Sequence, residues 1–324
     1  MVERGRSCPA GSLHGRGQGL AGMNIVYVVG NATIDIILHV DRLPMRGETV
    51  LCRSLQKSPG GKGLNQALAA ARTGTPTHLV AGLGDDADGG LIRCFIAAQD
   101  HVLAHWIQCA DTTDISSIWV GGDGENMIVS SNGCAQALLP GDAQAALSAI
   151  DSQDVVVAQG NLSPAMTVAV LALARQRGAY GILNVAPMNE ACRAAAPFAA
   201  LIIANQGEAE ALAGSSGIAA MMDRFSKSGQ TVIVTRGHRD TLLICQGKVT
   251  CQPVARVAAI DTSGAGDVFA GTLAGLLAQK FPMQRAVDIS TQAASLSVTR
   301  QGTSSSFPTL DEVAVLKEST WRQG

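Results

Sequence analysis

Aromatic and charged side chains are both scarce in this sequence. Aromatic residues make up 3% and charged residues 15% of the 324 residues, whereas 47% are hydrophobic and 36 are glycine. Small residues allow helices to pack closely on a parallel sheet that is buried on both faces. The composition therefore predicts an α/β fold with a mostly parallel central sheet.

An excess of charge of one sign is also missing. The formal net charge is -2, and the sequence contains no run of basic residues. A surface that binds nucleic acid or anionic lipid needs clustered lysine and arginine. We therefore expect neither a nucleic acid nor a membrane as a partner.

Paired cysteines and long apolar runs are absent as well. The 8 cysteines are scattered, and no two of them form a C-x-x-C pair. In a chain of this length, such cysteines are typical of free thiols in a reducing cytoplasm. No apolar run approaches the roughly 18 residues that are needed to span a bilayer. These absences favour a cytoplasmic protein.

Two common nucleotide-binding motifs cannot be found. The Gly-rich segment Ser58–Gly74 lacks the Gly-Lys-[Ser/Thr] that ends a P-loop. It also lacks the strand and the following acidic residue that accompany a dinucleotide fingerprint. The sequence is therefore neither that of a P-loop enzyme nor that of a nicotinamide-dependent dehydrogenase.

The segment Ala258–Phe269 has the features of an anion site. Gly264, Ala265 and Gly266 lead into Asp267 and then into apolar residues with helical spacing. Free N–H groups and the peptide dipoles at a helix N-terminus attract a phosphoryl group. A carboxylate there suits a general base that takes the proton from an attacking hydroxyl, but aspartate also commonly stabilises a first helical turn. This segment alone leaves both roles of Asp267 open.

A second Gly-rich helix entry begins at Ser58. Gly60 and Gly61 allow the backbone to approach a polar ligand closely, and Asn65 in the opening turn can hydrogen-bond hydroxyl groups. Alone, this pattern is found in many nucleotide sites.

Together the two segments resemble the signature motifs of the ribokinase family, also called the phosphofructokinase-B family of carbohydrate and nucleoside kinases. The N-terminal motif G-G-K-G-x-N-Q-A matches Gly60–Ala67, and the C-terminal motif D-T-x-G-A-G-D-x-F matches Asp261–Phe269. Further landmarks extend the resemblance from about Asn24 to about Pro308. The resemblance implies a three-layer α/β/α fold with a mostly parallel central sheet and a small β-strand lid.

The resemblance also implies an activity, the transfer of the γ-phosphoryl group of ATP to a hydroxymethyl group of a pentose. Gln66 in the first motif favours ribose as the acceptor, with ribose 5-phosphate as the product. Another pentose, a ketohexose such as fructose, and a nucleoside remain open. A non-catalytic sugar- or nucleotide-binding regulator is the alternative from a different class, and the intact Asp267 favours an enzyme over it.

The family pattern assigns roles to individual residues. Asp267 is the implied base, and the amides of Gly264, Ala265 and Gly266 form the implied anion hole. The implied sugar-binding residues are Thr33, Asp35, Gly60, Gly61, Lys62, Asn65 and Asn161. Thr33 is a departure, because ribokinases carry asparagine there and a hydroxyl offers fewer hydrogen bonds than an amide. This departure weakens the case for ribose itself.

ATP and cation ligands follow from the same resemblance. Asn205, Thr235 and Gly237 are implied to border ATP, and Glu208 to hold Mg²⁺ through water. A monovalent cation, K⁺, is implied as an activator. Its implied ligands are Asp261, Ser263, Ser297, Arg300, Gly302 and Ser306.

Four short strands are predicted to stand outside the regular β–α alternation. They are Ile36–Val40 with Glu48–Ser54, and Ile115–Val120 with Glu125–Ser131. The family resemblance implies that they form a lid, over about residues 36–54 and 115–131, that covers the sugar and mediates a homodimer. Closing such a lid would exclude water, which competes with the sugar as phosphoryl acceptor.

The alternation itself predicts parallel strands that are joined by helices. The predicted strands are Asn24–Gly30, His78–Gly84, Val155–Gln159, Tyr180–Val185, Leu201–Ala204 and Thr231–Arg236. Residues 23–324 are predicted to form this kinase domain. Residues 1–22, rich in glycine and arginine, are predicted to be a disordered extension.

Two groups of side chains have the composition of metal ligands. Asp85–Gly89 carries three carboxylates at a helix entry, which the family resemblance makes structural. His101, His105 and Cys109 would line one face of a helix, but the family places a strand there, over which they would spread too far for zinc. We therefore expect no metal at either group.

Overall fold

The computed structural model describes residues 22–122, 125–226 and 229–319. The predicted extension, residues 1–22, lies outside the described residues except for Gly22, which is exposed. Among the described residues, no helix has the length and apolar character required to cross a membrane.

Thirteen strands are formed by the described residues. In chain order they are β1 Val26–Val29, β2 Thr33–Val40, β3 Cys52–Gly60, β4 Thr77–Leu83, β5 Val102–Gln108, β6 Ile115–Val120, β7 Asn126–Ser130, β8 Val155–Gln159, β9 Tyr180–Asn184, β10 Leu201–Asn205, β11 Thr231–Arg236, β12 Arg239–Cys245 and β13 Lys248–Gln252.

Eleven α-helices connect and cover these strands in the same part of the chain. They are α1 Lys62–Ala71, α2 Ala87–Ala97, α3 Gly133–Ala137, α4 Pro140–Ala146, α5 Pro164–Gln176, α6 Glu190–Ala195, α7 Gln206–Ala213, α8 Ile218–Ser226, α9 Ala265–Ala278, α10 Met283–Ser297 and α11 Leu310–Glu318. A short 3₁₀ turn, Ala196–Phe198, follows α6.

The main sheet has the strand order β13-β12-β11-β10-β9-β8-β1-β4-β5. The pairs from β11 to β5 are parallel, and β12 and β13 add an antiparallel edge. Every residue of β1 and β8 is buried, as expected for strands that are covered on both faces. The predicted mostly parallel sheet is confirmed.

Two hydrophobic cores cover opposite faces of this sheet. One contains apolar side chains of α4, α5, α6 and α8, and the other contains those of α1, α2, α9 and α10. The chain reverses its direction of travel across the sheet at β1, which lies between β4 and β8. In open α/β sheets, ligands bind beyond the carboxyl ends of the strands at such a switch point.

Helices α1 and α9 lie against each other unusually closely. A Cβ atom on Gly271 would be only 2.3 Å from the carbonyl oxygen of Gln66. No side chain larger than hydrogen fits at this contact without a shift of backbone. The close contact holds together the two helices that the Gly-rich motifs begin.

A separate four-stranded sheet has the order β3-β2-β6-β7. β2 pairs with β3 and β6 with β7 in antiparallel fashion, whereas β2 and β6 are parallel. The expectation that these strands stand apart from the main sheet is confirmed.

One predicted strand of this small sheet was wrong in its bounds. Residues 48–51 are not part of a strand, and β3 instead runs from Cys52 to Gly60. The Glu48 carboxylate binds Arg42 and accepts a hydrogen bond from the Met45 amide at 3.0 Å, which holds residues 42–48 in a turn. β2 likewise begins three residues earlier than predicted, at Thr33. These shifts bring Thr33, Asp35 and Gly60 into the small sheet.

In the two groups with the composition of metal ligands, Asp85–Gly89 and His101, His105 and Cys109, side chains make contacts within the fold. Asp86 caps α2, because its carboxylate accepts a hydrogen bond from the Gly89 amide at 2.7 Å. His105 lies on β5, the expected strand, and its Nε2 is 3.1 Å from Nδ1 of His78. Among the described residues, no group of three or more histidine, cysteine, aspartate or glutamate side chains is placed to hold a metal ion.

Candidate active site

Helix α9 begins in the geometry that an anion site requires. Gly264 caps the helix with φ 78°, a left-handed conformation that side chains rarely adopt. The helix starts at Ala265, whose N–H makes a long hydrogen bond to the Thr262 carbonyl at 3.3 Å, whereas the N–H groups that follow in a first helical turn have no intrahelical partner. Asp267 stands in this first turn and is only 6% exposed. A carboxylate is therefore held at the positive end of a buried helix.

The first turn of α1 supplies the partners of Asp267. Asn65 Nδ2 donates to Oδ2 at 3.3 Å, and Gln66 Nε2 donates to Oδ1 at 2.9 Å. Lys62 Nζ lies 4.0 Å from Oδ1. The structure thus brings the two Gly-rich motifs together, although about 200 residues separate them.

A second buried carboxylate, Asp35, lies on β2, close enough to Asp267 and Lys62 for their charges to act on it. Thr33, which is fully buried, donates its hydroxyl to Asp35 Oδ1 at 3.0 Å. The pKa of Asp35 is raised to about 6, mainly by burial and also by the charge of Asp267, while the hydrogen bonds from Thr33 and Ser116 and the charge of Lys62 oppose the rise. A Cβ on Gly60 would lie 2.1 Å from Asp35 Oδ2, so only glycine allows β3 to pass here.

Glu208 is the third carboxylate near Lys62. Its Oε2 accepts from the Asn205 amide at 2.8 Å, and Asn205 Oδ1 accepts from the Glu208 amide at 2.9 Å. These two bonds form a capping box at the start of α7. Burial raises the pKa of Glu208, the positive charge of Lys62 lowers it, and the negative charge of Asp267 raises it. Glu208 therefore has a structural role and also belongs to the charged cluster.

The residues predicted to border ATP lie at the same edge of the sheet. Thr235 pairs with Asn205 in the parallel register of β10 and β11. Gly237 follows the end of β11 and is exposed in the tight turn before β12. The neighbouring Arg236 donates its Nε–H to the Asp240 carbonyl at 2.7 Å, which closes this turn.

The predicted cation loop is organised by Asp261. Its Oδ1 accepts from the Ser263 amide at 2.9 Å and its Oδ2 from the Gly302 amide at 3.0 Å. Ser297 and Ser306 donate their hydroxyl protons to the carbonyls of Ala294 and Thr303 and are buried. Their oxygen lone pairs, with backbone carbonyls, are the ligand type that hard cations prefer.

Arg300 differs from the other predicted ligands of that cation. Its guanidinium pairs with the Glu312 carboxylate, with Nη1 3.0 Å from Oε2. A cationic side chain cannot ligate K⁺, so only the Arg300 carbonyl is left for that role.

Four side-chain carbonyl oxygens of the described residues are buried and have no hydrogen-bond partner. They belong to Asn65, Gln159, Asn161 and Asn184. An unpartnered buried oxygen is costly unless a ligand or water satisfies it. Those of Asn65 and Asn161, which the family pattern assigns to the sugar, are therefore candidate acceptors for the hydroxyl groups of a substrate.

One residue of the site was not predicted from the sequence. Gln159, the last residue of β8, donates its Nε2 to Gln66 Oε1 at 2.9 Å. Its only sequence signal is a polar residue at the end of a buried strand. Because its partner comes from 93 residues earlier, no local pattern indicates the contact.

A buried carboxylate at a helix N-terminus, with a second carboxylate and several amide oxygens nearby, is an arrangement suited to the transfer of a phosphoryl group to a small hydroxyl acceptor. The model of the pfkB family carbohydrate kinases matches residues 23–310, and the chain belongs to this family. It is an ATP-dependent sugar kinase, which confirms the expectation of an enzyme rather than a binding protein.

Similar proteins include several ribokinases. Ribokinase from Mus musculus is 32% identical over 299 residues, which cover 87% of this chain and 91% of that protein. The bifunctional ribokinase/ribose-5-phosphate isomerase A of Fructilactobacillus sanfranciscensis is 30% identical over 300 residues, which cover 90% of this chain and 56% of that protein. The structure of Arabidopsis thaliana ribokinase complexed with ribose and ATP matches with a TM-score of 0.78 and 25% identity, and the match covers 92% of this chain and 99% of that one.

Proposed function

We propose that the chain transfers the γ-phosphoryl group of ATP to the hydroxymethyl group of a pentose, with D-ribose preferred and ribose 5-phosphate as the product. The observation that carries the proposal is the contact of the two motifs, in which Asn65 and Gln66 hold the Asp267 carboxylate at the start of α9. The ribokinases among the relatives support ribose as the sugar.

In the proposed reaction, Asp267 acts as the general base. It accepts the proton of the sugar hydroxymethyl group while the hydroxyl oxygen forms a bond to the γ-phosphorus and the bond to the bridging oxygen of ADP breaks. Oδ2 is the better placed acceptor, because its contact with Asn65 is 3.3 Å whereas Oδ1 is held by Gln66 at 2.9 Å.

Charge on the transferred group is stabilised by the surrounding positive groups. We assign the anion hole to the amides of Gly264, Ala265 and Gly266 at the N-terminus of α9. Lys62, at the start of α1, adds a positive charge between three carboxylates. Thr235 and Gly237 would border the ATP phosphates from the ends of β11 and the following turn.

Sugar recognition is proposed for a second group of residues around Asp35. Asp35 would accept hydrogen bonds from two sugar hydroxyls, and the free oxygens of Asn65 and Asn161 would accept others. Gly60 and Gly61 would contribute backbone groups to the sugar site, and their lack of a side chain lets the Asp35 carboxylate and the backbone of β2 lie against them. Because the Thr33 hydroxyl donates its hydrogen bond to Asp35, we propose that Thr33 serves the sugar site mainly by orienting that carboxylate.

The residues near Glu208 fit Mg²⁺. Its Oε2 is engaged by the Asn205 amide, and a single partly buried carboxylate suffices for an ion that keeps most of its waters. We propose that Glu208 and Asn205 hold Mg²⁺ through water; when bound, the ion supplies positive charge to the ATP phosphates.

K⁺ is the proposed activator at the loop that Asp261 organises. Asp261 and Ser263, together with Ser297, Ser306 and the carbonyls of Arg300 and Gly302, would hold it. An ion there would stabilise the loop that leads directly into the anion hole. We propose that the reaction takes place in the cytoplasm, consistent with the free cysteines of the described residues.

A substrate panel tests the proposed function. ADP release would be measured with ATP and D-ribose, 2-deoxy-D-ribose, D-xylose, D-fructose or adenosine, and the product of the best acceptor would be identified by phosphorus NMR. We expect the highest kcat/KM for D-ribose with the phosphate on its hydroxymethyl carbon. A higher kcat/KM for fructose or adenosine would overturn the assignment to a pentose.

A further inference from the structure

Gln159 and Gln66 form a buried chain of hydrogen bonds that ends at the general base. Gln159 Nε2 is 2.9 Å from Gln66 Oε1, and Gln66 Nε2 is 2.9 Å from Asp267 Oδ1. Both glutamines are 0% exposed. The chain connects the carboxyl end of β8 through α1 to the first turn of α9.

The chemistry of the amide group gives this chain a direction. A carboxylate only accepts hydrogen bonds, so the NH₂ of Gln66 must face Asp267 and its Oε1 must face away. Oε1 then faces a donor, the NH₂ of Gln159. If the Gln66 amide turned over, two acceptor oxygens would face each other at Asp267. Gln159 therefore favours the one orientation of Gln66 that can hold the base.

Folding alone gives little reason for these polar groups. The Oε1 of Gln159 is buried and has no hydrogen-bond partner among the described residues. A buried polar atom without a partner destabilises the fold, and an apolar side chain of similar shape would avoid that penalty. Residues that lower stability in this manner are typical of functional sites.

We propose that Gln159 is a positioning residue for catalysis, which acts on Asp267 through Gln66 without touching substrate. Gln66 fixes Oδ1, so that Oδ2 stays aimed at the acceptor hydroxyl. Gln159 fixes Gln66. This inference rests on the proposed role of Asp267 as base and holds for whichever sugar is the best acceptor.

The test is a double-mutant cycle on kcat, with the best sugar of the panel as acceptor. Gln159→Met keeps the length of the side chain and removes the donor. We expect a 3- to 10-fold loss of kcat, the range for one neutral hydrogen bond, with the KM values for sugar and ATP changed less than roughly twofold. Gln66→Met should lose at least as much, and adding Gln159→Met to it should change kcat by less than about twofold.

Gln279→Met is the matched control. Gln279 is the residue that caps the C-terminal end of α9. Its Nε2 donates to the Thr73 carbonyl and the Thr75 hydroxyl, both at 2.8 Å. This change also removes the hydrogen bonds of a glutamine at α9, but it does not alter the hydrogen bonds that hold Asp267. The value of kcat should therefore stay within roughly twofold of wild type. If Gln159→Met does not fold, Gln159→Asn repeats the test, because the shorter amide cannot reach Gln66.

Three outcomes would overturn the proposal or its basis. A folded Gln159 variant with wild-type kcat contradicts the positioning role alone. Losses that multiply in the double variant show that Gln159 acts independently of Gln66, which also contradicts it. A wild-type chain that phosphorylates no acceptor of the panel overturns the proposed function, and the positioning role with it.

Discussion

Asp35 shows how much the environment of one residue can change its chemistry. Burial is the main cause that raises its pKa to about 6, and the hydrogen bond from Thr33 limits the rise. A carboxylate accepts hydrogen bonds from sugar hydroxyls, whereas the protonated acid is a poorer acceptor. The protonation of Asp35 should therefore be visible in sugar binding near neutral pH.

The first prediction concerns pH and sugar affinity. Below about pH 6 the protonated form of Asp35 dominates, so the KM for sugar should rise as the pH falls through that value. Thr33→Val removes the opposing hydrogen bond and should move this rise in KM to higher pH. Steady-state kinetics from pH 5 to 8 would measure both. An unchanged sugar KM across pH 6 in the wild-type enzyme would show that Asp35 does not bind the sugar as a carboxylate.

The second prediction concerns stability. Because the pKa of Asp35 is raised from 3.8 to about 6, the folded state binds its proton more tightly than the unfolded chain does. Its contribution to stability is thus fully present below pH 3.8 and is lost as the pH rises through about 6. At pH 8, Asp35→Asn should raise the free energy of unfolding by about 1–3 kcal/mol, which a Tm increase of several degrees would report. A lower Tm for the variant at pH 8 would contradict the raised pKa.

Sequence reasoning about single residues reached those that the family pattern covers and missed Gln159, which that pattern does not include. Asp267 and Asn65 belong to two Gly-rich helix entries, and the structure brings them into contact. Gln159 belongs to no motif, and its role depends on a partner from α1. The hydrogen bond that turns Thr33 towards Asp35 is also a tertiary feature, set by the start of β2 at Thr33.

Helices α1 and α9 are the elements on which the site depends. Their contact at Gly271 places the first turns of both helices, and hence Asn65 and Asp267, side by side. The bounds of β8 and β11 were predicted to the residue, because long runs of buried β-branched side chains define them. The bounds of β3 were wrong, because β3 is largely exposed and its start depends on the turn that Glu48 closes.

The third prediction tests the contact between these helices. A Cβ at position 271 meets backbone, so Gly271→Ala should force α1 and α9 apart, destabilise the fold by about 1–3 kcal/mol and lower kcat. Gly90→Ala on α2 is the control, since a Cβ there meets no atom within 4 Å. That change should keep kcat and raise stability by about 0.4–1 kcal/mol. Equal effects of the two substitutions on Tm and kcat would contradict the importance of the close contact.

The whole molecule combines two cores on the faces of one sheet with a small sheet whose edge strands, β3 and β7, are largely exposed. Its last strand, β7, carries exposed apolar side chains, of which Val129 is 69% exposed. The order of the layers was predictable from the β–α alternation. A partner for β7 follows only from the family resemblance, because the sequence of a strand does not identify its partner.

The fourth prediction is that the chain forms a homodimer through the small sheet. An open edge strand with apolar side chains is a surface that another chain can cover. Val129→Asp should shift the mass in light scattering from dimer to monomer. Val315→Asp on α11 is the control, as Val315 is 66% exposed and lies on another element. A monomeric wild-type chain, or a dimer that Val129→Asp leaves intact, would contradict this interface.

The role of Asp267 as general base is the central claim, and Asp267→Asn tests it most directly. The substitution keeps the shape of the side chain and the start of α9 but removes the proton acceptor. We expect kcat to fall by roughly 10²-fold or more while the Kd for ATP stays nearly unchanged. Asp311→Asn, which changes an exposed first-turn acid of α11, should leave kcat unaffected. If the Asp267→Asn enzyme keeps kcat within a few-fold of wild type and loses only stability, Asp267 merely stabilises its helix, and the proposed mechanism is wrong.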